Sequence, residues 1–197
     1  MLLRAALHEA GVPVGAGVLD YGTGSGALAI AAARLGAGSV TAVDASWPAI
    51  LTARVNARRS GVRMRTRHGD SPWSGGPGPY DVVLSNPPYL PCAADEVRLR
   101  SRRWDAGVDG RAVLDRLCVA TRELLRAGGF ALFVQSELTG ISKTVELLRD
   151  TGLKAAVVRR RRVGLGPVLR ARLASAVSDE ELVVIRADKP LSRPHRP

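Results

Sequence analysis

A chain of 197 residues with 46% hydrophobic content is long enough for one substantial core and too short for two full domains. Its net charge of +11 invites a nucleic-acid partner, but the lysines are few (Lys143, Lys154, Lys189), and heavy Arg, Ala, Gly and Val usage is also what a GC-rich genome imposes. Mean hydropathy near zero, no apolar run of membrane-spanning length and no leader-like start at Met1–Glu9 exclude a transmembrane helix and predict a soluble, cytoplasmic protein.

In chain order, Leu2 to Ala10 reads as a helix ended by Gly11 and Pro13. Gly17 to Tyr21 is a first strand running into Gly22-Thr23-Gly24-Ser25-Gly26, and Ala27 to Leu35 follows as an alanine-rich helix. Strand, glycine turn, helix is the opening of a nucleotide-type βαβ unit. The glycines let a ligand approach the main chain, and free N–H groups at the helix start favour an anion. The spacing is G-x-G-x-G, not the G-x-G-x-x-G that cradles a pyrophosphate. A second strand, Ser39 to Val43, ends in Asp44, a carboxylate placed to accept ribose hydroxyls. Asp20, just before the turn, is a candidate contact for the amino-acid end of a cofactor. Together these point to S-adenosyl-L-methionine more than to a nicotinamide dinucleotide.

Pro48 to Arg59 is a helix with proline at its favoured first position. Arg63 to His68 is a short strand ending at Gly69-Asp70-Ser71-Pro72-Trp73. Asp70 at this third strand tip is a candidate acceptor for an adenine amino group, with Ser71 beside it and Trp73 as a wall of that pocket. Ser74 to Pro79 is a loop.

Tyr80 to Leu84 is a short apolar run of the fully buried, parallel kind, and Ser85-Asn86-Pro87-Pro88-Tyr89 follows it. Pro87 and Pro88 lack N–H donors, fix φ and push the preceding residue into an extended conformation. The Asn86 amide and Pro87 carbonyl are therefore held stiffly at a strand's carboxyl end, where open α/β sheets keep their active sites. Two carbonyl oxygens side by side suit a planar –NH2 group, accepting both its hydrogens, while Tyr89 covers the flat face of its carrier. Asn86, Pro87 and Tyr89 are thus the candidate catalytic residues. Asn86 to Tyr89 and Trp104 line the acceptor site, and Asn86 also borders the cofactor.

Leu90 to Arg111 has little periodicity, and loops of that length usually serve function. It carries Arg98, Arg100, Arg102, Arg103 and Trp104, then Asp105-Ala106-Gly107-Val108-Asp109-Gly110, and reads as a substrate-covering segment hinged at glycines. Ala112 to Arg126 is an amphipathic helix with Cys118 as a small core residue. Gly128-Gly129 ends it, Phe130 to Gln135 is a fifth strand, Ile141 to Arg149 a helix, and Lys154 to Val158 a sixth strand. Arg159 to Arg162 is the best nucleic-acid candidate in the chain, with an exposed strand end as the ordinary alternative. A short helix around Arg170 and Arg172 precedes a last strand, Glu181 to Ala187. Residues 188–197 read as a disordered tail after a single domain over 1–187. Cys92 and Cys118 make no metal or disulfide pattern, and His8, His68 and His195 are scattered, so no metal site is expected.

Asp20 with Gly22 to Gly26, Asp44, Asp70, Asn86-Pro87-Pro88-Tyr89 and Asp105 to Gly110 resemble the class I S-adenosylmethionine-dependent methyltransferases. Within them the resemblance is to the protein glutamine methyltransferases of the PrmC/HemK family, over roughly residues 12 to 187. That resemblance implies a Rossmann-like α/β fold, with a seven-stranded, mostly parallel sheet, an antiparallel last strand and helices on both faces. It implies that Asn86 to Tyr89 bind the glutamine of a release factor's Gly-Gly-Gln loop, whose amide nitrogen is methylated. The helical N-terminal domain of longer members is not in this sequence, which resembles the short single-domain branch. The family's Tyr-x-Pro-x-x-Asp stretch before the first helix is also not present. A monomer or weak oligomer is expected, with a protein substrate as first partner and nucleic acid second. Two other readings stand beside this one: an N-methyltransferase of exocyclic base amines in RNA or DNA, and a binding module that keeps the cofactor fold without turnover.

Overall fold

A computed structural model describes residues 2–76, 78–89, 106–165 and 178–191. Its centre is a seven-stranded sheet in the order β3-β2-β1-β4-β5-β7-β6. The strands are β1 (Gly17–Tyr21), β2 (Ser39–Asp44), β3 (Arg65–His68), β4 (Tyr80–Ser85), β5 (Leu125–Ser136), β6 (Lys154–Gly164) and β7 (Asp179–Asp188). β7 lies between β5 and β6 and runs antiparallel to both. The adjacent pairs from β3 to β5 are parallel. The expected mixed sheet with an antiparallel last strand is therefore present.

Strands buried on both faces need apolar side chains on both, and the sequence supplies them. Leu19, Tyr21, Val83, Ala131 and Phe133 enter one core cluster, while Val18, Val82, Leu84, Leu132 and Val134 enter the other. The first cluster is closed by α4 (Ala112–Leu124) and α5 (Ile141–Asp150), the second by α1 (Leu2–Ala10) and α2 (Ala27–Arg34). α3 (Trp47–Arg59) packs beside β2 and β3. Ser46 caps it, accepting from the Ala49 N–H at 3.4 Å, and Pro48 follows at a position where a missing N–H costs nothing.

Three boundaries depart from the sequence reading. β5 begins at Leu125, and the glycines expected to end α4 lie inside it: pairing with β4 jumps from Tyr80↔Leu125 to Val82↔Phe130. Gly128, at φ 81°, sits in that irregularity, as glycine does in bulges. β6 runs on through the arginine quartet to Gly164, because an edge strand leaves one side to water and tolerates charge. Three of its four arginines are met by carboxylates. Arg159 donates to Glu9 of α1 through Nε and Nη2, Arg160 pairs with Glu181 at 2.6 Å, and Arg162 lies 3.7 Å from Asp179. That leaves less free positive charge there than the bare sequence suggests. β7 starts at Asp179 and extends through Asp188, after which Lys189 Nζ donates to the Arg122 and Leu125 carbonyls, each at 2.7 Å. The expected short helix around Arg170 and Arg172 lies outside the described residues. No described helix is long and apolar enough to cross a membrane.

Candidate active site

The glycine turn is held from beneath by β2. Gly22 and Thr23 both donate to the Val43 carbonyl at 2.9 Å, and Gly24 donates to Asp44 Oδ2 at 2.8 Å. Gly22, Gly24 and Gly26 have φ of 71°, 54° and 82°, a region other residues enter at a cost. A side chain at Gly26 would also meet Ala53 of α3 at 3.2 Å, so this glycine serves helix packing as well. The N–H groups of Gly22, Thr23 and Gly24 in the turn are engaged internally, and at the helix start, where free donors were expected, the Ala29 N–H is taken by Asp20.

Asp20 is fully buried. Its Oδ2 accepts from Thr23 Oγ1 at 2.6 Å and from the Ala29 N–H at 3.0 Å, which locks the turn to the start of α2. Its Oδ1 has no partner among the described residues. Burial pushes the carboxyl up to about 6, against the pull of the Thr23 and Ala29 hydrogen bonds. Asp44 is half-buried, accepting from Gly24 on Oδ2 and from the Ser46 N–H on Oδ1 at 2.8 Å. A carboxylate offers about four acceptor positions, so capacity remains for hydroxyl donors.

Asp70 is exposed, and its main-chain oxygen accepts from the Tyr21 hydroxyl at 2.7 Å. Ser71 caps the 3-10 turn Pro72–Gly75 in a capping box with Ser74. Trp73 is joined to Ser71 through its main chain, its N–H donating to Ser71 Oγ at 3.3 Å. It lines an open groove of about 890 Å³ with Pro79, Leu125, Arg126 and Lys189, at the strands' opposite ends. The aromatic that does stand at the β2–β3 tips is Trp47, stacked on His68 with ring centroids 4.5 Å apart and planes 7° apart. His68 Nε2 lies 2.9 Å from the Ala45 carbonyl. Nothing in the sequence beyond their position near strand tips pairs these two rings.

β4 is laddered to β1 with Ser85 opposite Tyr21, and Ser85 Oγ donates to the Tyr21 carbonyl at 2.7 Å. One residue on, Asn86 therefore leaves the sheet beside Gly22, at about the 4.8 Å spacing of neighbouring strands. Asn86 is exposed and Pro87 buried, with Pro88 and Tyr89 half-buried. The structure thus brings the Asn-Pro-Pro-Tyr turn and the glycine turn to one edge. Trp104 and Asp105 lie outside the described residues, as do the arginines at 98–103.

Of the segment read as a glycine-hinged cover, Ala106 to Gly110 is described, and both ends of that stretch are packed. Ala106 is fully buried and its carbonyl accepts from the Ala112 N–H at 2.8 Å. Gly107 and Gly110 both have positive φ, and Gly110 comes up directly against the Tyr89 main chain. Gly110 thus supports Tyr89, while Val108 and Asp109 before it are exposed.

Two supporting groups escape sequence reading. Arg111 is 4% exposed. Its guanidinium donates to the Thr139 and Gly140 carbonyls, to Asp115 Oδ1 at 2.5 Å and to Thr144 Oγ1 at 3.0 Å, so it joins the starts of α4 and α5 beneath the turn. Glu180, also 4% exposed, accepts from Ser136 Oγ at 2.5 Å and from the Tyr89 hydroxyl at 3.5 Å. Burial first, then the Glu180 carboxylate, pushes the Tyr89 phenol up to about 12. Cys118 is buried, which pushes its thiol up to about 12, consistent with a core role. Among the described residues no cluster of His, Cys, Asp and Glu is placed to hold a metal.

The family model described as ribosomal protein L11 methyltransferase (PrmA) matches residues 5–87. A Methanocaldococcus jannaschii protein that carries the name protein N5-glutamine methyltransferase is 35% identical over 148 residues, covering 74% of this chain and 75% of its own. The release factor glutamine methyltransferase of Deinococcus radiodurans is 36% identical over 180 residues, 88% of this chain and 64% of its own length. In fold, the chain matches one from the E. cuniculi Mtq2–Trm112 complex, described as responsible for methylation of the eRF1 translation termination factor. The TM-score is 0.68 at 21% identity, over 95% of this chain and 92% of that one.

Proposed function

Because the chain belongs to the protein N5-glutamine methyltransferase family, we propose that it methylates a side-chain amide nitrogen of a protein, using S-adenosyl-L-methionine. The favoured acceptor is the glutamine of a release-factor Gly-Gly-Gln loop. The observation that carries this reading is the ladder pairing of Ser85 with Tyr21, which sets Asn86 beside the glycine turn.

The residues at the turn fit the cofactor chemically. Asp20 keeps one buried oxygen without a partner among the described residues, suited to a donor such as an ammonium. Asp44 retains acceptor capacity for ribose hydroxyls, and Asp70 is exposed at the next strand tip. When bound, the cofactor supplies an electrophilic methyl on sulfur, whose C–S bond breaks as the N–C bond forms, leaving a neutral thioether.

The chain's own task is to make a poor nucleophile competent. An amide nitrogen delocalises its lone pair into the carbonyl. The Asn86 side-chain oxygen and the Pro87 carbonyl accept its two hydrogens, turn the lone pair outward and stabilise positive charge as it develops. Tyr89 covers the amide plane. Alignment of this kind is worth about 7–11 kcal/mol in favourable cases. The nitrogen's proton becomes acidic once the methyl has arrived and leaves to solvent, so no tuned general base is required.

The test offers labelled cofactor to a Gly-Gly-Gln peptide and to intact release factor, with total RNA and DNA in parallel. Label on the glutamine amide is expected. Label in nucleic acid alone would replace this reading with base-amine methylation, and calorimetry showing no cofactor binding would leave only a scaffold.

A further inference from the structure

Three consecutive acidic residues open β7, and they part company. Asp179 and Glu181 reach arginines of the neighbouring edge strand, Arg162 and Arg160. Glu180, between them, points to the other face, is 4% exposed and has hydroxyl groups as its hydrogen-bond partners. Burying a carboxylate among hydroxyls is expensive for a fold, and an apolar residue there would fill the core at less cost. Its partners explain its presence. Ser136 ends β5, and Tyr89 ends the Asn-Pro-Pro-Tyr turn.

Tyr89 is thereby gripped at both ends. Its main chain abuts Gly110, where even a Cβ would lie 2.5 Å from the Tyr89 oxygen. Its hydroxyl is directed at Glu180 Oε1, while Ser136 occupies Oε2. Main-chain contact alone leaves the ring free to tilt; a second anchor at the far end restrains that tilt.

We propose that Glu180 is a positioning residue of the acceptor pocket, its carboxylate shared between Ser136 and Tyr89 so that the phenol ring keeps the tilt that covers a planar amide. The acceptor part rests on the function proposed above; the anchoring itself does not. Burial is the first cause of the raised phenol, and the Glu180 charge and hydrogen bond add to it.

Glu180→Gln leaves one oxygen where two were, so Ser136 and Tyr89 can no longer each donate to their own acceptor. The experiment compares the wild type, Glu180→Gln, Tyr89→Phe and the double variant, with urea melts to confirm folding. Expected is a roughly tenfold lower kcat/KM toward a Gly-Gly-Gln peptide for Glu180→Gln, with cofactor affinity unchanged. In the Tyr89→Phe background the same change should cost nothing further. Ultraviolet titration should show the Tyr89 phenol raised in the wild type and falling part of the way back in Glu180→Gln, burial holding the remainder. Equal losses in both backgrounds, or a phenol unmoved by the substitution, would overturn the proposal. If the wild type transfers no methyl to peptide, the function reading fails, and the titration alone still decides the anchor.

Discussion

The Cα of Gly110 sits so close to Tyr89 that a Cβ built on it would lie 2.5 Å from the Tyr89 carbonyl oxygen. Gly110 belongs to the Asp-x-Gly-x-Asp-Gly stretch and Tyr89 to the Asn-Pro-Pro-Tyr stretch, so two motifs distant in sequence form one structural unit. Gly110→Ala must therefore move the turn that carries Asn86. It also places a side chain at φ +73°, which by itself costs about 1–2 kcal/mol. We expect a stability loss of at least that size in urea melts, with methyl transfer falling further than stability accounts for.

Arg111→Met removes the guanidinium that satisfies two carbonyls and one threonine hydroxyl between α4 and α5. Buried acceptors left unpaired cost roughly 1–3 kcal/mol each, though water reaches the partly exposed Asp115 and lowers its share. A net loss of about 3 kcal/mol in chemical denaturation is expected. A change below about 1 kcal/mol would show that water substitutes freely there.

Asp20 gives a pH signature. Its folded-state carboxyl, raised to about 6 from 3.8, binds its proton more tightly than in the unfolded chain. The folded state therefore holds more protons between those values, and this group's contribution to stability falls as pH rises from about 4 to about 6. Asp20→Asn should flatten that slope and add on the order of 2–3 kcal/mol at neutral pH, since one amide oxygen can still accept from Thr23 and Ala29. If Oδ1 is the cofactor contact, the same variant binds S-adenosylmethionine more weakly. Stability curves across pH and calorimetry separate the two effects.

Asn86→Ala should abolish turnover while leaving cofactor affinity within a few-fold, because Asn86 is exposed at the acceptor side and takes no part in holding the glycine turn. Calorimetry beside a label-transfer assay checks this. Loss of cofactor binding would reassign Asn86 to the cofactor.

The sequence disclosed what local chemistry dictates. The glycine turn, the acidic strand tips and the Asn-Pro-Pro-Tyr turn sit at strand ends because apolar runs stop there, and each is found at one edge of the sheet. It hid what depends on partners far along the chain. Nothing near Glu180 says that its side chain faces Tyr89 and Ser136, and Arg111 looks like another surface arginine until α5 is placed against it. Trp73 lines the groove beside Leu125 because the Pro72–Gly75 turn carries it there, and Trp47, for which the sequence suggests no role, stacks on His68 instead. The arginines at 159–162 interrupt an apolar pattern yet continue a strand, since an edge position relaxes the demand for burial.

The ladder between β1 and β4 has a further meaning. On the proposed function, donor seat and acceptor turn spring from neighbouring strands, so the distance the methyl would cross is set by the sheet itself. Selection among client proteins would then fall to whatever surrounds Tyr89, a rim that could be rebuilt without disturbing the crossing.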